Sequence, residues 1–344
     1  MEYCLHCPCS QPDLPQLLET ITWFTPKNFI QINLNMPHSR YKRKRIEKHL
    51  RGIETHLNVL KKRKEKEGRM VNGKTIRLPF VTLGDLRKSF KPRHTPVDPK
   101  VLEEAKYFRR IPLDDTQSLS IYGSDGGLLE HRCKIGDDSI VKTLTYSLRE
   151  LPSRTNLKFR GVFRGEYSTR HYCVWSPYQK RPFISRELRE DGDAGMSFLE
   201  INKRLWIRIS DILGSISPAT YRRFLRYPLP DRLDRFCTAF AGCVVNLSGE
   251  DPVQTAPHRD VKESIYGFSC VIPAGDYSGG ALILFDLKLV VELGPGDVFL
   301  FPDSLIHHAN EKVEGNRSSI VAFTQENLFH YWSRKYKYVN NKRR

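Results

Sequence analysis

Three groups within residues 257–319 decide the predicted fold: His258-Arg259-Asp260, then His307-His308-Ala309-Asn310, then Arg317-Ser318-Ser319. Short apolar runs lie between and after them, at residues 267–272, 281–285, 289–293, 298–301 and 319–323. Turn signals are found at Gly275-Asp276, Ser278-Gly279-Gly280, residues 294–297 and Glu314-Gly315-Asn316. Many short strands with this punctuation predict a β-sandwich or barrel. A jelly roll of the cupin type fits best, because it holds a metal at its mouth.

The H-x-D group and the later histidines have the composition of a metal site. One carboxylate and two imidazoles from separate strand ends can occupy one face of an iron(II) ion, as in the non-haem oxygenases. His258, Asp260 and one histidine of the pair His307-His308 form such a set. The remaining iron positions are then open to O2 and to a bidentate 2-oxo acid. Taken alone, the H-x-D group also fits a surface turn. The order of H-x-D, a series of strands and then a histidine favours a metal site.

Arg317 and Ser319 lie two residues apart on the last predicted strand and therefore share one of its faces. A guanidinium can hold a carboxylate through two parallel hydrogen bonds, and a hydroxyl can add a third. Both residues are candidates for binding the distal carboxylate of the 2-oxo acid. Asn246, on a predicted strand at residues 243–247, is a further candidate, and a core asparagine satisfied by the strand ladder is the equal alternative.

Residues 204–336 resemble the 2-oxoglutarate- and iron-dependent dioxygenases in their double-stranded β-helix form. More narrowly, they resemble the fungal branch of the TET and J-binding-protein oxygenases, which oxidise modified bases in DNA. The resemblance rests on His258-Arg259-Asp260, residues 279–287, Pro295-Gly296-Asp297, His308-Ala309-Asn310 and residues 317–321. In the family, these positions are the first two metal ligands, a core strand, a tight turn, the third ligand and the co-substrate clamp. The resemblance implies iron(II), 2-oxoglutarate and O2 as cofactors, with ascorbate as a stimulant.

The third metal ligand is either His307 or His308, because neighbours on a strand point to opposite faces. The spacing to Arg317 suits His307 in relatives of the prolyl-hydroxylase type. The following Ala309-Asn310 resembles the fungal pattern, in which the histidine directly before the small residue is the ligand. We therefore predict His308.

The 344-residue chain carries a formal net charge of +17, which indicates a polyanionic partner, with nucleic acid ahead of a membrane surface. No apolar run is long enough for a membrane span, and the N-terminus lacks the apolar core of a signal peptide. The eight cysteines are scattered, as is typical of a reducing compartment. We expect a monomer in the nucleus or the cytoplasm that binds DNA and no membrane.

Residues 38–69 are the most basic stretch and have apolar residues at helical spacing. They predict a long amphipathic helix whose Lys42, Arg43, Lys44 and Arg45 contact phosphates. A solvated face packed on the core, or a nuclear import signal, is the alternative. An Asn72-Gly73 turn signal suggests a hairpin after this helix, and a capping box at Ser197-Phe198-Leu199-Glu200 predicts the start of another helix.

The predicted organisation is an α+β fold. A double-stranded β-helix (jelly-roll) core at residues 96–338 is buttressed by helices. It follows a basic helical N-terminal extension at residues 1–95 and precedes a basic tail at residues 339–344. Cys4, Cys7 and Cys9 offer three of the about four ligands that zinc needs, and we interpret them as ordinary thiols.

The predicted function is oxidation of 5-methylcytosine, N6-methyladenine or both in DNA. Two alternatives remain. One is a 2-oxoglutarate-dependent protein hydroxylase of the prolyl type. The other is a catalytically silent jelly roll that binds nucleic acid, which is disfavoured because His258, Asp260, His308 and Arg317 are all present.

Overall fold

The computed structural model describes residues 40–67, 73–114, 117–155, 167–176, 181–226, 235–248 and 254–331, together with Leu229 and Leu233. The helices are α1 (Arg40–Glu67), α2 (Leu83–Lys88), α3 (Pro99–Glu104), α4 (Asp138–Arg154), α5 (Arg186–Asp191), α6 (Asp193–Ile201), α7 (Lys203–Ile216) and α8 (Pro218–Leu225). Short 3-10 turns occupy Ala105–Tyr107 and Phe285–Leu287. None of the helices in these ranges has the length and apolarity needed to cross a membrane.

The strands are β1 (Lys74–Leu78), β2 (Arg109–Ile111), β3 (Leu119–Gly123), β4 (Leu128–Lys134), β5 (Ser168–Trp175), β6 (Phe183–Ile184), β7 (Gly242–Leu247), β8 (Ser269–Gly279), β9 (Leu282–Leu284), β10 (Leu289–Val291), β11 (Asp297–Phe301), β12 (His308–Asn310) and β13 (Val313–Phe323). They form a large sheet in the order β1-β3-β4-β11-β8-β13-β7-β5-β6 and a small sheet in the order β12-β9-β10-β2. The pairs β1–β3 and β10–β2 are parallel. The fold is therefore the predicted α+β jelly roll with helical support.

The two faces of the large sheet have different neighbours because side chains alternate along each strand. On β7, Cys243 and Val245 belong to the apolar core shared with helices α4 to α8. Val244 and Asn246 of the same strand line a cavity on the other face. The helices therefore cover one face of the sheet, and the cavity lies on the other.

Helix α1 confirms the predicted amphipathic helix and packs on the helical layer. Its Leu57 and Leu60 are buried against the helical core, and the imidazole Nε2 of His49 lies 2.9 Å from the carbonyl oxygen of Leu225 at the end of α8. The Arg222 guanidinium forms two hydrogen bonds with the Glu54 carboxylate, at 2.7 and 2.9 Å. The N-terminal half of α1 thus lies beside the end of α8. The predicted boundary at residue 95, between the N-terminal extension and the β-helix core, stays a prediction.

Two predicted turns were wrong, because Gly275 and Gly315 lie inside the long strands β8 and β13. Gly275 pairs with Arg317 and Gly315 with Tyr277, and both glycines have positive φ, at 116° and 93°. The glycines therefore bend a continuous ladder instead of ending it. A Cβ on Gly275 would lie 2.0 Å from the carbonyl oxygen of Asn316, so only glycine fits there.

The hairpin predicted from Asn72-Gly73 falls on residues that lie partly outside the described ranges; β1, which follows this turn signal, pairs in parallel with β3. The helix start predicted from the capping box was wrong. Ser197 lies inside α6, which begins after Gly192. Burial of Phe198 and Leu199 against the core outweighs the local capping signal.

Candidate metal centre

His258, Asp260 and His308 come together at one end of the small sheet. Their ligand atoms all lie within 4.8 Å of one another, and they are the only metal-compatible cluster among the described residues. The Asp260 Oδ2 atom is 3.8 Å from Nε2 of His258 and 3.7 Å from Nε2 of His308. Backbone contacts place all three: His258 pairs with His308 in an isolated antiparallel bridge, and the Asp260 N–H donates to the Asp303 carbonyl at 3.1 Å.

The hydrogen bonds of the two imidazoles orient them towards a shared centre. The Nδ1 of His258 lies 2.7 Å from the Ala256 carbonyl oxygen, and the Nδ1 of His308 lies 2.9 Å from that of Ile306. Each carbonyl therefore accepts from Nδ1–H, which leaves the Nε2 lone pair for a metal. Two neutral imidazoles and one carboxylate on one side of a buried site fit iron(II).

His307 points away from this cluster. Its Nδ1 lies 3.2 Å from Oδ2 of Asp286, and its Nε2 lies 3.2 Å from the Thr95 hydroxyl. Strand alternation separates the two neighbouring histidines, as the sequence suggested. The structure brings His308, and not His307, to Asp260.

A cavity of about 370 Å³ opens beside the three ligands, within the size range of small-molecule sites. Arg317 lies in its wall and is 2% exposed. The Arg317 guanidinium is 5.6 Å from the centroid of the Tyr277 ring, and the Tyr277 hydroxyl donates to the Leu293 carbonyl at 2.8 Å. Burial lowers the pKa of Arg317, while Tyr277 raises it. The residue remains a cation at neutral pH.

Ser319 and Asn246 occupy opposite positions on β13 and β7, and both line the same cavity. The Asn246 amide nitrogen donates to the Ser319 hydroxyl oxygen at 3.1 Å. The structure thus brings together all the residues predicted for the 2-oxo acid. A carboxylate bound by Arg317 would lie within reach of the Ser319 hydroxyl, which Asn246 holds in place.

The far end of the cavity, where Trp175 of β5 and Gln325 beyond β13 lie in the wall, was not predicted from the sequence. The Arg- and Tyr-rich composition of residues 163–178 is a weak signal for this region. Alternation along β5 was the available clue, because His171 and Trp175 lie on the face opposite the core residue Tyr172.

The predicted phosphate-binding residues Lys42, Arg43, Lys44 and Arg45 lie in the first turns of α1. The Lys44 side chain is exposed. The other three side chains lie outside the described part of the structure, as do Cys4, Cys7, Cys9 and the basic tail.

Comparisons with known proteins bear on the fold. No family model and no curated protein matches the chain. Among solved structures, NgTET1 in complex with 5mC DNA is similar, with 15% sequence identity, a TM-score of 0.51 and coverage of 72% of this chain and 92% of that one. A 2OG-Fe(II) oxygenase family oxidoreductase from Burkholderia pseudomallei covers 74% of this chain and 100% of its own, at 12% identity and a TM-score of 0.34.

A prolyl-4-hydroxylase from Pseudomonas putida covers 57% of this chain and 91% of its own, at 15% identity and a TM-score of 0.35. The likeness to NgTET1 concerns the strand architecture described above, and at its level of identity it bears on the fold alone. The chain has the double-stranded β-helix fold of the 2-oxoglutarate- and iron(II)-dependent oxygenases.

Proposed function

We propose that this protein is an iron(II)- and 2-oxoglutarate-dependent dioxygenase that oxidises a methylated base in DNA, either 5-methylcytosine or N6-methyladenine. The observation that carries the enzyme class is the convergence of His258, Asp260 and His308 with Arg317 in one cavity. A facial set of two imidazoles and one carboxylate leaves the other metal positions open, and a buried guanidinium supplies the partner for a carboxylate.

Each part of this chain has a defined task in the proposed reaction. Iron(II), when bound, supplies the redox chemistry that couples decarboxylation of 2-oxoglutarate to oxidation of the substrate. His258, Asp260 and His308 hold the metal on one side. Arg317 binds the distal carboxylate of 2-oxoglutarate and thereby orients the co-substrate. Phe301 packs edge-on against His308, with ring centroids 5.0 Å apart, and excludes water from that side.

Three observations support a nucleic acid as the substrate. The net charge of +17 favours a polyanion. NgTET1, whose fold is similar, was solved in complex with 5mC DNA. The third observation is a surface formed by Tyr266, on the loop that follows Asp260, with Arg87 of α2 and Arg223 of α8.

Two guanidinium groups lie near the exposed Tyr266 ring, with Arg87 at 5.0 Å and Arg223 at 5.1 Å from its centroid. Arg223 also donates to Glu326, which accepts from Ser264 of the same loop. An arginine–aromatic surface of this kind can stack a base and neutralise phosphates. Helix α8, which carries Arg223, also contacts α1, because the carbonyl of its last residue lies 2.9 Å from Nε2 of His49.

The proposal is tested by incubating the full chain with iron(II), ascorbate and 2-oxoglutarate. The substrates are duplexes containing 5-methylcytosine, N6-methyladenine or 5-methyluracil, the matching RNAs, and a proline-containing peptide. Oxidised products are measured by mass spectrometry of nucleosides and of the peptide. The proposal expects oxidation of a methylated DNA base that is lost in His308→Ala and kept in His307→Ala. Oxidation of the peptide alone would replace it with the protein-hydroxylase alternative.

A further inference from the structure

Residues 89–98, between helices α2 and α3, form a strap next to the metal centre. Near its start, Phe90 packs against the apolar core that strands of both sheets share. Near its end, Val97 is buried in a small apolar cluster that includes Ala309. Between these two anchors, the exposed His94 lines the cavity that holds the ligands. The strap is therefore held at both ends and borders the cavity.

The polar contact of the strap is between Thr95 and Arg259, the middle residue of the H-x-D group. The Arg259 Nη2 atom donates to the Thr95 hydroxyl at 3.0 Å. Arg259 is 7% exposed, and its guanidinium carbon lies 5.9 Å from the centroid of the Phe90 ring. Its Nε atom has no hydrogen-bond partner among the described residues. The Thr95 hydroxyl thus satisfies a buried charged donor, and such a contact is costly to remove.

His307 fixes the direction of the Thr95 hydroxyl. The Nδ1 atom of His307 lies 3.2 Å from Oδ2 of Asp286, so the carboxylate accepts the Nδ1 proton and Nε2 is an acceptor in the neutral ring. The Thr95 hydroxyl lies 3.2 Å from that Nε2 and donates to it, while its oxygen accepts from Arg259. The contact with Arg259 does not depend on His307, because the Thr95 oxygen is an acceptor in either case.

We propose that Thr95 is a positioning residue for the metal centre, and that its hydroxyl couples metal binding to the order of the strap. The backbone of Arg259 joins the first two ligands, so a guanidinium held in place restricts the geometry of both. The Val97 cluster adds a contact next to the third ligand. Because coupling is reciprocal, a bound metal should in turn restrain the strap. The inference rests on the metal centre of the proposed function and does not depend on the substrate.

Titration of the full chain with cobalt(II), followed by its absorption bands, measures metal affinity without turnover. Thr95→Val replaces the hydroxyl with a methyl group of similar size. It should weaken cobalt(II) binding by about tenfold, the lower limit for loss of an outer-shell partner. Thr95→Ser keeps the hydroxyl and should bind cobalt(II) nearly as the wild type does. Thr55→Val is the matched control, because the exposed Thr55 hydroxyl donates to the Arg51 carbonyl within α1.

Hydrogen exchange of the backbone amides in residues 89–98 tests the coupling in the other direction. Addition of cobalt(II) to the wild type should slow exchange in the strap by a similar factor, about tenfold. The slowing should be lost in Thr95→Val and kept in Thr95→Ser. Exchange in α4 should not respond to cobalt(II) and serves as the internal control. The wild-type measurement decides the question even if Thr95→Val does not fold.

A double substitution separates the contact from a general effect on folding. Arg259→Met removes the guanidinium but keeps a long side chain beside Phe90. It should weaken cobalt(II) binding about as much as Thr95→Val does. The double variant should bind no more weakly than either single variant, because both substitutions remove the same contact. Additive losses would mean that the two side chains act independently, which contradicts the proposal.

Failure of this inference and failure of the proposed function give different results. If Thr95→Val binds cobalt(II) as tightly as the wild type, or the wild-type strap exchanges equally fast with and without the metal, the positioning role is wrong and the dioxygenase proposal stands. If the wild type oxidises no DNA base but its metal affinity depends on the Thr95 hydroxyl, the inference stands and the proposed substrate is wrong. A wild type that binds no cobalt(II) overturns both.

Discussion

His258 and His308 hold each other through their backbones: the N–H of His258 donates to the carbonyl of His308 at 3.0 Å, and the reverse bond is 2.9 Å. The two imidazole centroids are 4.3 Å apart as a result. The backbone pair sets the positions of the two residues, and each imidazole is oriented by its own Nδ1 contact with a carbonyl oxygen. Each histidine can therefore be replaced separately to test its part in the ligand set.

The first prediction concerns the ligands. Replacement of His258, Asp260 or His308 by alanine should abolish both iron(II) binding and turnover, because the two remaining side chains hold the metal poorly. His307→Ala is the matched control and should keep both, since His307 contacts Asp286 and Thr95. Cobalt(II) absorption titrations and 2-oxoglutarate consumption give the two measurements. Retention of metal by His308→Ala together with its loss in His307→Ala would reverse the assignment.

The second prediction concerns the co-substrate. Arg317→Ala should raise the KM for 2-oxoglutarate strongly, because the buried carboxylate would lose its cationic partner. Ser319→Ala should weaken 2-oxoglutarate binding less, by at most about 1.5–3 kcal/mol, the value of one hydrogen bond to a charged group. The exposed Arg149→Ala is the control for lost charge. An unchanged KM in Arg317→Ala would mean that another residue binds the carboxylate.

The third prediction concerns the glycine opposite Arg317. Gly275→Ala should destabilise the fold by about 1–3 kcal/mol from the backbone conformation alone, and further through its contact with the Asn316 carbonyl. It should also weaken 2-oxoglutarate binding. Gly52→Ala in α1, where a Cβ meets nothing within 4 Å, should instead stabilise the protein by about 1 kcal/mol. Urea unfolding of both variants checks the pair, and a Gly275→Ala as stable as the wild type contradicts the strand geometry.

The fourth prediction concerns salt. Replacement of Lys42, Arg43, Lys44 and Arg45 by alanine should weaken DNA binding and reduce the slope of log affinity against log salt by about 0.9 per lost phosphate contact. Replacement of Lys61, Lys62, Lys64 and Lys66 removes the same charge from the other end of α1 and should change the slope less. Anisotropy titrations between low and moderate salt measure both. Equal slopes in the two variants would show that α1 contributes only its overall charge.

The fifth prediction concerns pH. Burial raises the pKa of Glu130 to about 8, with Arg132 acting against the shift. The folded state therefore keeps a proton that the unfolded chain loses above its ordinary pKa of 4.5. The contribution of Glu130 to the free energy of unfolding should therefore fall by about 1.4 kcal/mol per pH unit between pH 4.5 and pH 8. Glu130→Gln should remove that slope, so its advantage over the wild type grows with pH in urea unfolding. If the free energy of unfolding of the two proteins changes with pH in parallel, the prediction is contradicted.

The strands around the metal were predictable because their apolar runs are strongly patterned and bounded by glycine or proline. The runs at residues 281–285, 289–293 and 298–301 correspond to β9, β10 and β11. The predicted turns at Gly275 and Gly315 failed for a physical reason. A glycine that lets a strand bend under tight interstrand contact has the same local sequence as a glycine that ends a strand.

The clustering of His258, Asp260 and His308 and the placement of Arg317 in the same cavity were predictable, because their residue types and order are specific. The Trp175 and Gln325 end of the cavity was not, because these residues meet only through the pairing of β5, β7 and β13. No local pattern reports such a long-range contact. The choice of His308 over His307 was predicted from the resemblance to the fungal pattern, since strand alternation predicts opposite faces without saying which face holds the metal.

The separation of the two faces of the large sheet has a consequence for oxidative self-damage. Cys243 and Cys270 neighbour the cavity residues Val244 and Val271, yet their thiols lie in the helix-side core and are fully buried. Burial raises the pKa of the Cys270 thiol well above its usual range, and a protonated, buried thiol is oxidised slowly. The sheet thus screens these easily oxidised side chains from reactive species formed in the cavity. Damage during turnover without substrate should therefore fall first on cavity aromatics such as Trp175.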